Sequence, residues 1–151
     1  MKREKLRVEP IKDGTVIDHI MSGQALNVLK VLKIKSPSEE TVSMAMNVSS
    51  REMGKKDIVK VEDRRLEKGE LNKIALIATN ATINIVEEYD VVEKYRVSVP
   101  KFINGIIRCK NQNCITNMDE HVVTRFKVES KDPLSLRCVY CGSRTSSVEF
   151  L

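Results

Sequence analysis

The sequence predicts an α+β protein: an N-terminal ferredoxin-like α/β sandwich followed by a small C-terminal all-β domain gathered on four cysteines. Three observations predict it. Strand-like runs with period-two alternation are interrupted twice by runs of helical period before residue 100. All four cysteines, at 109, 114, 138 and 141, lie in the last third of the chain. Pro100 separates the two regions, giving expected domains of 1–100 and 101–151.

The elements follow in order. Leu6-Arg7-Val8-Glu9 alternates as a strand, Asp13-Gly14 signals a turn, and Thr15 to Ile20 resumes an extended run. Ser22 can cap a helix over Gln24–Lys33, where Ala25, Leu26, Leu29 and Leu32 recur at helical spacing, and Ser36-Pro37 ends it. Thr41 to Val48 alternates strictly, with Val42, Met44, Met46 and Val48 facing one way. Gly54 marks a turn into a strand over Lys56–Glu62. A second helix fits Glu67–Ala78 through Leu71, Ile74, Ala75 and Ala78, and strands over Ala81–Val86 and Val91–Val99 complete the domain. The order β-β-α-β-β-α-β-β suits an antiparallel or mixed sheet with both helices on one face, the ferredoxin-like arrangement.

Composition narrows the function. The chain has 151 residues, 41% hydrophobic and 31% charged. No apolar run approaches the ~20 residues of a spanning helix, and charges interrupt the basic start before any secretory apolar stretch, so the expected setting is the cytoplasm with no membrane contact. The formal charge is +5, from 26 Lys+Arg and 21 Asp+Glu, and four thiolates around a divalent cation would lower it. With three Tyr, three Phe and no Trp, base-stacking platforms are scarce. A nucleic-acid partner is not expected, although Arg108, Lys110, Arg137 and Arg144 flank the cysteines and keep that alternative open.

The cysteines read Cys109-x4-Cys114, then 23 residues, then Cys138-x2-Cys141. Each pair can bend two sulfurs toward one ion, and Gly142 can take the positive φ that such a turn needs. Two such knuckles supply the closed four-thiolate set of a structural zinc site. That set leaves no open position for water, so metal-assisted hydrolysis is not expected. Two disulfides are the alternative in an oxidising compartment, and an iron centre has similar ligand chemistry.

Lys56, Ile58 and Lys60 share one face of their strand, with the two lysines ~7 Å apart. Their like charges favour a bridging anion or acid between them. Lys94 and the pair Asp18-His19 lie on other strands; brought together, three cations and an imidazole suit a polyphosphate, and Asp18 could accept from a ribose hydroxyl. Each lysine taken singly reads first as a solvated charge. Neither standard phosphate-loop pattern occurs, and His19 and His121 sit in no nucleophile–base arrangement. A free-standing enzyme acting on a phosphorylated substrate is therefore the weakest of three readings.

Taken together, Gly14-Thr15-Val16-Ile17-Asp18-His19-Ile20, Glu52-Met53-Gly54-Lys55-Lys56-Asp57-Ile58-Val59-Lys60-Val61-Glu62, Ala81-Thr82-Ile83-Asn84 and the cysteine set resemble the regulatory chain of aspartate carbamoyltransferase, in order over nearly the whole chain. The resemblance implies a non-catalytic subunit of pyrimidine biosynthesis that binds the effectors CTP, ATP and UTP. It implies one structural zinc ion on Cys109, Cys114, Cys138 and Cys141. On matching positions, Asp18, Lys60 and Lys94 would contact nucleotide, with His19 near the phosphates. Ile11, Tyr89 and Val91 would line the base pocket, with Asn84 and Lys56 at its edge. Asn111 and Asn113 would face the catalytic chain. The implied assembly is a regulatory homodimer within a holoenzyme of two catalytic trimers and three regulatory dimers. Met21, Lys110 and Gly142 depart from the familiar pattern.

Overall fold

The computed structural model describes residues 10–34 and 39–151. They divide into two compact units with the boundary between Val97 and Ser98. The strand expected at Leu6–Glu9 and the helix stop expected at Ser36-Pro37 lie outside the described residues. Among the described residues, no helix is long and apolar enough to cross a membrane.

The first unit runs β1 (Gly14–Met21), α1 (Ala25–Val31), β2 (Val42–Ser50), β3 (Gly54–Glu62), α2 (Lys68–Ile77), β4 (Thr82–Glu87) and β5 (Asp90–Arg96). The strands form one sheet in the order β2-β3-β1-β4-β5, each neighbouring pair antiparallel. The first four strands and two helices make the ferredoxin-like arrangement, and β5 extends it as a hairpin partner of β4. Period-two geometry then sorts the side chains. Ile17, Val59, Val61 and Ile83 are fully buried on one face. The buried residues of α1 (Ala25, Val28, Val31) and of α2 (Ile74, Ala75, Leu76) supply the other side of this core, and the two helices pack on each other. Each such Ile or Val contributes about 1.5–3 kcal/mol by leaving water. The alternate residues project from the opposite face, which neither helix covers.

Three local expectations change in the structure. Helix α1 stops two residues early because Lys33 takes a left-handed φ of 57°. Ser22 does not cap it: the Ser22 hydroxyl meets Asn47 Oδ1, and Asp57, distant in sequence, accepts from the N–H groups of Gly23 and Ala25. The strict alternation of β2 breaks at a bulge, where Met46 and Asn47 together oppose Asp57, with Asn47 at φ 57°. Since β2 is an edge strand, Met44 and Met46 remain 39% and 40% exposed. β1 carries a matching bulge, where Asp18 and His19 together oppose Ile58. Helix α2 begins with a Glu67–Glu70 capping box.

Gly14 has a structural necessity. Its φ is 141°, and a Cβ there would stand 2.2 Å from the carbonyl oxygen of Val61. Gly14→Ala is expected to cost about 2–4 kcal/mol, from backbone strain plus forced separation of β1 and β3. Thermal unfolding of the two proteins measures it, and an unchanged midpoint would count against this packing.

The second unit contains β6 (Phe102–Asn104), α3 (Ile115–Met118), β7 (Arg125–Lys131), β8 (Leu134–Cys138) and β9 (Arg144–Thr145), with the four strands antiparallel in chain order. The all-β expectation holds apart from α3, a single helical turn after Cys114. Its core is small: Ile103, Ile107, Phe126 and Leu136 are buried together with Cys109, Cys114 and Cys138.

Candidate functional site

In the second unit the four sulfurs converge. Cys109 and Cys114 bracket one knuckle; Cys138 ends β8, and the turn that follows it returns Cys141. All four Sγ atoms lie within 4.8 Å of one another. The separations are 3.6 Å for Cys109–Cys141 and 3.7 Å for Cys114–Cys138. A disulfide needs about 2.05 Å, and all four thiols are free. Four sulfurs about 2.3 Å from a central ion lie about 3.8 Å apart in a tetrahedron, so the set fits one tetrahedral metal ion.

Backbone hydrogen bonds shape the two knuckles. Asn111 Oδ1 accepts from the N–H of Asn113 at 3.0 Å, and the Asn111 carbonyl accepts from the N–H of Cys114 at 3.0 Å. Asn117 clamps this loop by donating to the carbonyls of Cys109 and Asn111, both at 2.8 Å. In the second knuckle Gly142 takes φ 77° and donates to the Cys138 carbonyl at 2.9 Å. Burial pushes the Cys109 thiol up to about 12 and raises Cys138 as well. Burial acts in the same sense on Cys141, but hydrogen bonds from Ser143, with Asn111 and Cys109, outweigh it and bring that thiol down to about 6. So many sulfurs cannot all ionise this close together without a cation between them. Metal uptake therefore releases protons and weakens as the pH falls.

The cations flanking the knuckles are engaged within the unit. Arg108 pairs with Glu149 at 3.5 Å, while Arg137 and Arg144 pair with Glu129 at 3.8 and 2.9 Å. Lys110 meets the Ser147 hydroxyl. Asn113 is exposed, and Asn111 is half-buried with its oxygen committed to the knuckle. Exposed apolar side chains, including Ile115, Met118, Val139 and Tyr140, stand beside both knuckles.

In the first unit, the sheet face opposite the helices carries a polar row. Strand pairing aligns Ser43, Lys60, Val16, Asn84 and Lys94 across all five strands. Lys60 and Lys94 are three strands apart, about 14 Å between backbones, a distance two side chains cannot close but one extended ligand can span. Burial lowers the pKa of Lys60, partly offset by the Asp18 carboxylate, which places these two groups in one electrostatic neighbourhood. Asp18 lies one step further along, opposite Thr82, and its Oδ1 pairs with Lys56 Nζ at 2.9 Å. The bulge turns His19 sideways: its N–H donates to Asp18 Oδ1 at 2.6 Å, and its ring lies 3.3 Å from Thr82 Oγ1 and 3.5 Å from Glu52. A cleft of about 590 Å³ opens here, with His19, Glu52, Thr82, Lys94 and Arg96 among its walls.

The other end of this face combines Val86 and Val91 with Glu62, in one row through Gly14. Val91 pairs with Val86, which pairs with Gly14. Tyr89, at φ 67° in the β4–β5 turn, donates its N–H to the carbonyl of Lys12 at 2.8 Å, which brings the turn against the segment holding Ile11. Ile11 is buried; Tyr89 and Val91 are exposed. Asp18, His19, Lys56, Lys60, Asn84, Val91 and Lys94 thus share one sheet face, with the Tyr89 turn and the Ile11–Lys12 segment beside its Val91 end. Sequence reasoning missed Thr82 and Glu52, which touch the His19 ring, and Asn117 and Ser143, which brace the knuckles. The signal for Asn117 was faint: an amide side chain close to the ligand pair. Glu52 and Thr82 fall inside the segments that carry the resemblance but showed no role there, and nothing in the sequence pointed to Ser143.

The chain matches the family model for the aspartate carbamoyltransferase regulatory chain, allosteric domain, over residues 6–98, and the model for the metal binding domain of the same chain over residues 101–151. It is 58% identical over 141 residues to the aspartate carbamoyltransferase regulatory chain of Methanothrix thermoacetophila, covering 93% of this chain and 92% of that one. It is 53% identical over 148 residues to the regulatory chain of Pyrococcus abyssi, covering 97% of each. The corresponding protein of Thermococcus gammatolerans is 54% identical over 147 residues, again 97% of each.

Proposed function

The chain belongs to the family of aspartate carbamoyltransferase regulatory chains, and on that premise we propose that it is a non-catalytic cytoplasmic subunit whose sheet face binds CTP, ATP and UTP and whose metal unit grips the catalytic chain. One observation carries the nucleotide reading: a single sheet face with Val86 and Val91 toward one end, next to the Tyr89 turn and the segment holding Ile11, and with Asp18, His19, Lys56, Lys60 and Lys94 toward the other. A base fits the first, and a triphosphate fits the second. Asn84 stands between them, with its amide 3.5 Å from the Val16 carbonyl.

The metal is zinc in this reading, because four thiolates at tetrahedral spacing favour it and leave no open coordination position. Its role is structural. The exposed apolar residues beside the knuckles, with Asn111 and Asn113, meet the catalytic chain. Two regulatory chains pair, and three such dimers join two catalytic trimers. Pairing is supported by β2, which among the described residues is an edge strand of its sheet and carries exposed methionines at Met44 and Met46. A nucleotide then shifts catalysis by binding one quaternary state more tightly than another, by about 1–3 kcal/mol.

Calorimetric titration of the full chain with CTP and ATP tests the site. Saturable binding of one nucleotide per chain is expected; no heat with either nucleotide would overturn it. Metal analysis of the same sample is expected to give one zinc per chain.

A further inference from the structure

Asp57 is wholly buried and, among the described residues, is the one charged side chain in the core. Its contacts there are backbone N–H groups. Oδ2 accepts from Gly23 at 2.9 Å and Ala25 at 3.1 Å, and Oδ1 accepts from Asn47 at 3.0 Å. These donors come from two places flanking β3. Gly23 lies in the turn that leaves β1, and Ala25 opens α1, a few residues beyond the Asp18–His19 bulge. Asn47 is the left-handed residue of the β2 bulge, whose N–H the bulge frees from the ladder.

β3 runs between these two irregular strands. Opposite Asp57 in β1 stands Ile20, where regular pairing resumes after the bulge. The preceding residue, Lys56, projects to the other face, pairs across the ladders with Met21 and Val48, and holds Asp18 at 2.9 Å. One carboxylate therefore ties together the two neighbours of β3 at the level where Asp18, His19 and Lys56 meet. An apolar residue in its place would leave the buried Ala25 N–H and the more exposed N–H groups of Gly23 and Asn47 without this acceptor.

We propose that Asp57 is a positioning residue for the charged end of the ligand face: it fixes the β2 bulge and the exit of β1 into α1, and so aims Lys56, Asp18 and His19 at the phosphates of a nucleotide, without touching the nucleotide itself. The inference rests on the nucleotide reading of that face. It separates Asp57 from an ordinary core residue, because only the polyphosphate end depends on it.

The test titrates full-length Asp57→Ala, Asp57→Asn and Val59→Ala with CTP and with CMP. Val59→Ala is the control, a core truncation two positions along the same strand. Asp57→Ala is expected to lower the ratio of CTP to CMP affinity by about tenfold, the effect of one misplaced charge-assisted contact. Asp57→Asn, which keeps one acceptor oxygen, is expected to recover part of that ratio, and Val59→Ala to leave it unchanged. Amide exchange at Gly23, Ala25 and Asn47 is expected to quicken in the Asp57 variants. Should Asp57→Ala fail to fold, Asp57→Asn decides. An unchanged ratio in Asp57→Asn, or an equal fall in Val59→Ala, overturns the inference while leaving nucleotide binding intact. If the unsubstituted chain binds neither nucleotide, the reading of the face fails and the inference fails with it.

Discussion

Replacing Cys114 by serine is expected to unfold the C-terminal unit while the N-terminal sheet stays folded. The unit spans Ser98 to Leu151, and its apolar core is little more than Ile103, Ile107, Phe126 and Leu136. A domain of this size does not bury enough surface to offset its chain entropy. A structural zinc site contributes on the order of 10 kcal/mol, so losing one ligand removes more free energy than the rest of the unit supplies. The Cys114 sulfur is also buried, 3.7 Å from that of Cys138. Two-dimensional NMR of the full chain reads both units at once. Residues 98–151 are expected to collapse into the unfolded shift range while residues 39–97 keep their dispersion. Chelation of the unsubstituted protein should give the same spectrum. Retained dispersion in both experiments would mean that the metal is not structural.

Lys60→Ala is the second large effect. Lys60 stands in the polar row on β3 and is half-buried, and it shares an electrostatic neighbourhood with Asp18. Removing a partly desolvated cation from a polyphosphate site typically costs about 2–3 kcal/mol, roughly a 30- to 150-fold loss of nucleotide affinity. Calorimetry measures it, and thermal unfolding checks that the fold survives. The pH dependence has a definite sign. Burial lowers the pKa of Lys60 below the ordinary lysine value of 10.5. Between the two values the unfolded chain holds a proton that the folded chain has shed, so stability from this group rises with pH across that window. A bound polyphosphate prefers the charged form, so nucleotide affinity falls as the pH rises through the same window. The fall begins at lower pH than an ordinary lysine would give, and Lys60→Ala is expected to lose this component of the profile.

Much of this was legible in the sequence because it depends on local rules. Period-two runs fixed which side of β3 carries Lys56 and Lys60 and which carries Val59 and Val61. The two-by-two grouping of cysteines identified the metal set, since few other arrangements place two close pairs in so short a stretch. The bulges were not legible. A run such as Thr41 to Val48 alternates on paper, and only its pairing with β3 shows that Met46 and Asn47 share one partner. The same holds for Asp18-His19, whose adjacency in sequence hides a left-handed turn that re-aims the imidazole. Asp57 was hidden for a related reason. Period two places its carboxylate on the side of Val59 and Val61, but does not show the donors from β2, the β1–α1 turn and α1 that accommodate it there. Long-range partners of this kind leave no mark in the local pattern.

The most direct measurement is the rate of a catalytic chain assembled with this chain, followed as CTP is added, for the unsubstituted protein and for Lys60→Ala. The rate is expected to change saturably with CTP in the first assembly and to stay flat over the same range in the second, with both assemblies of equal size. A matching response in the two, or no response in either, would contradict the account.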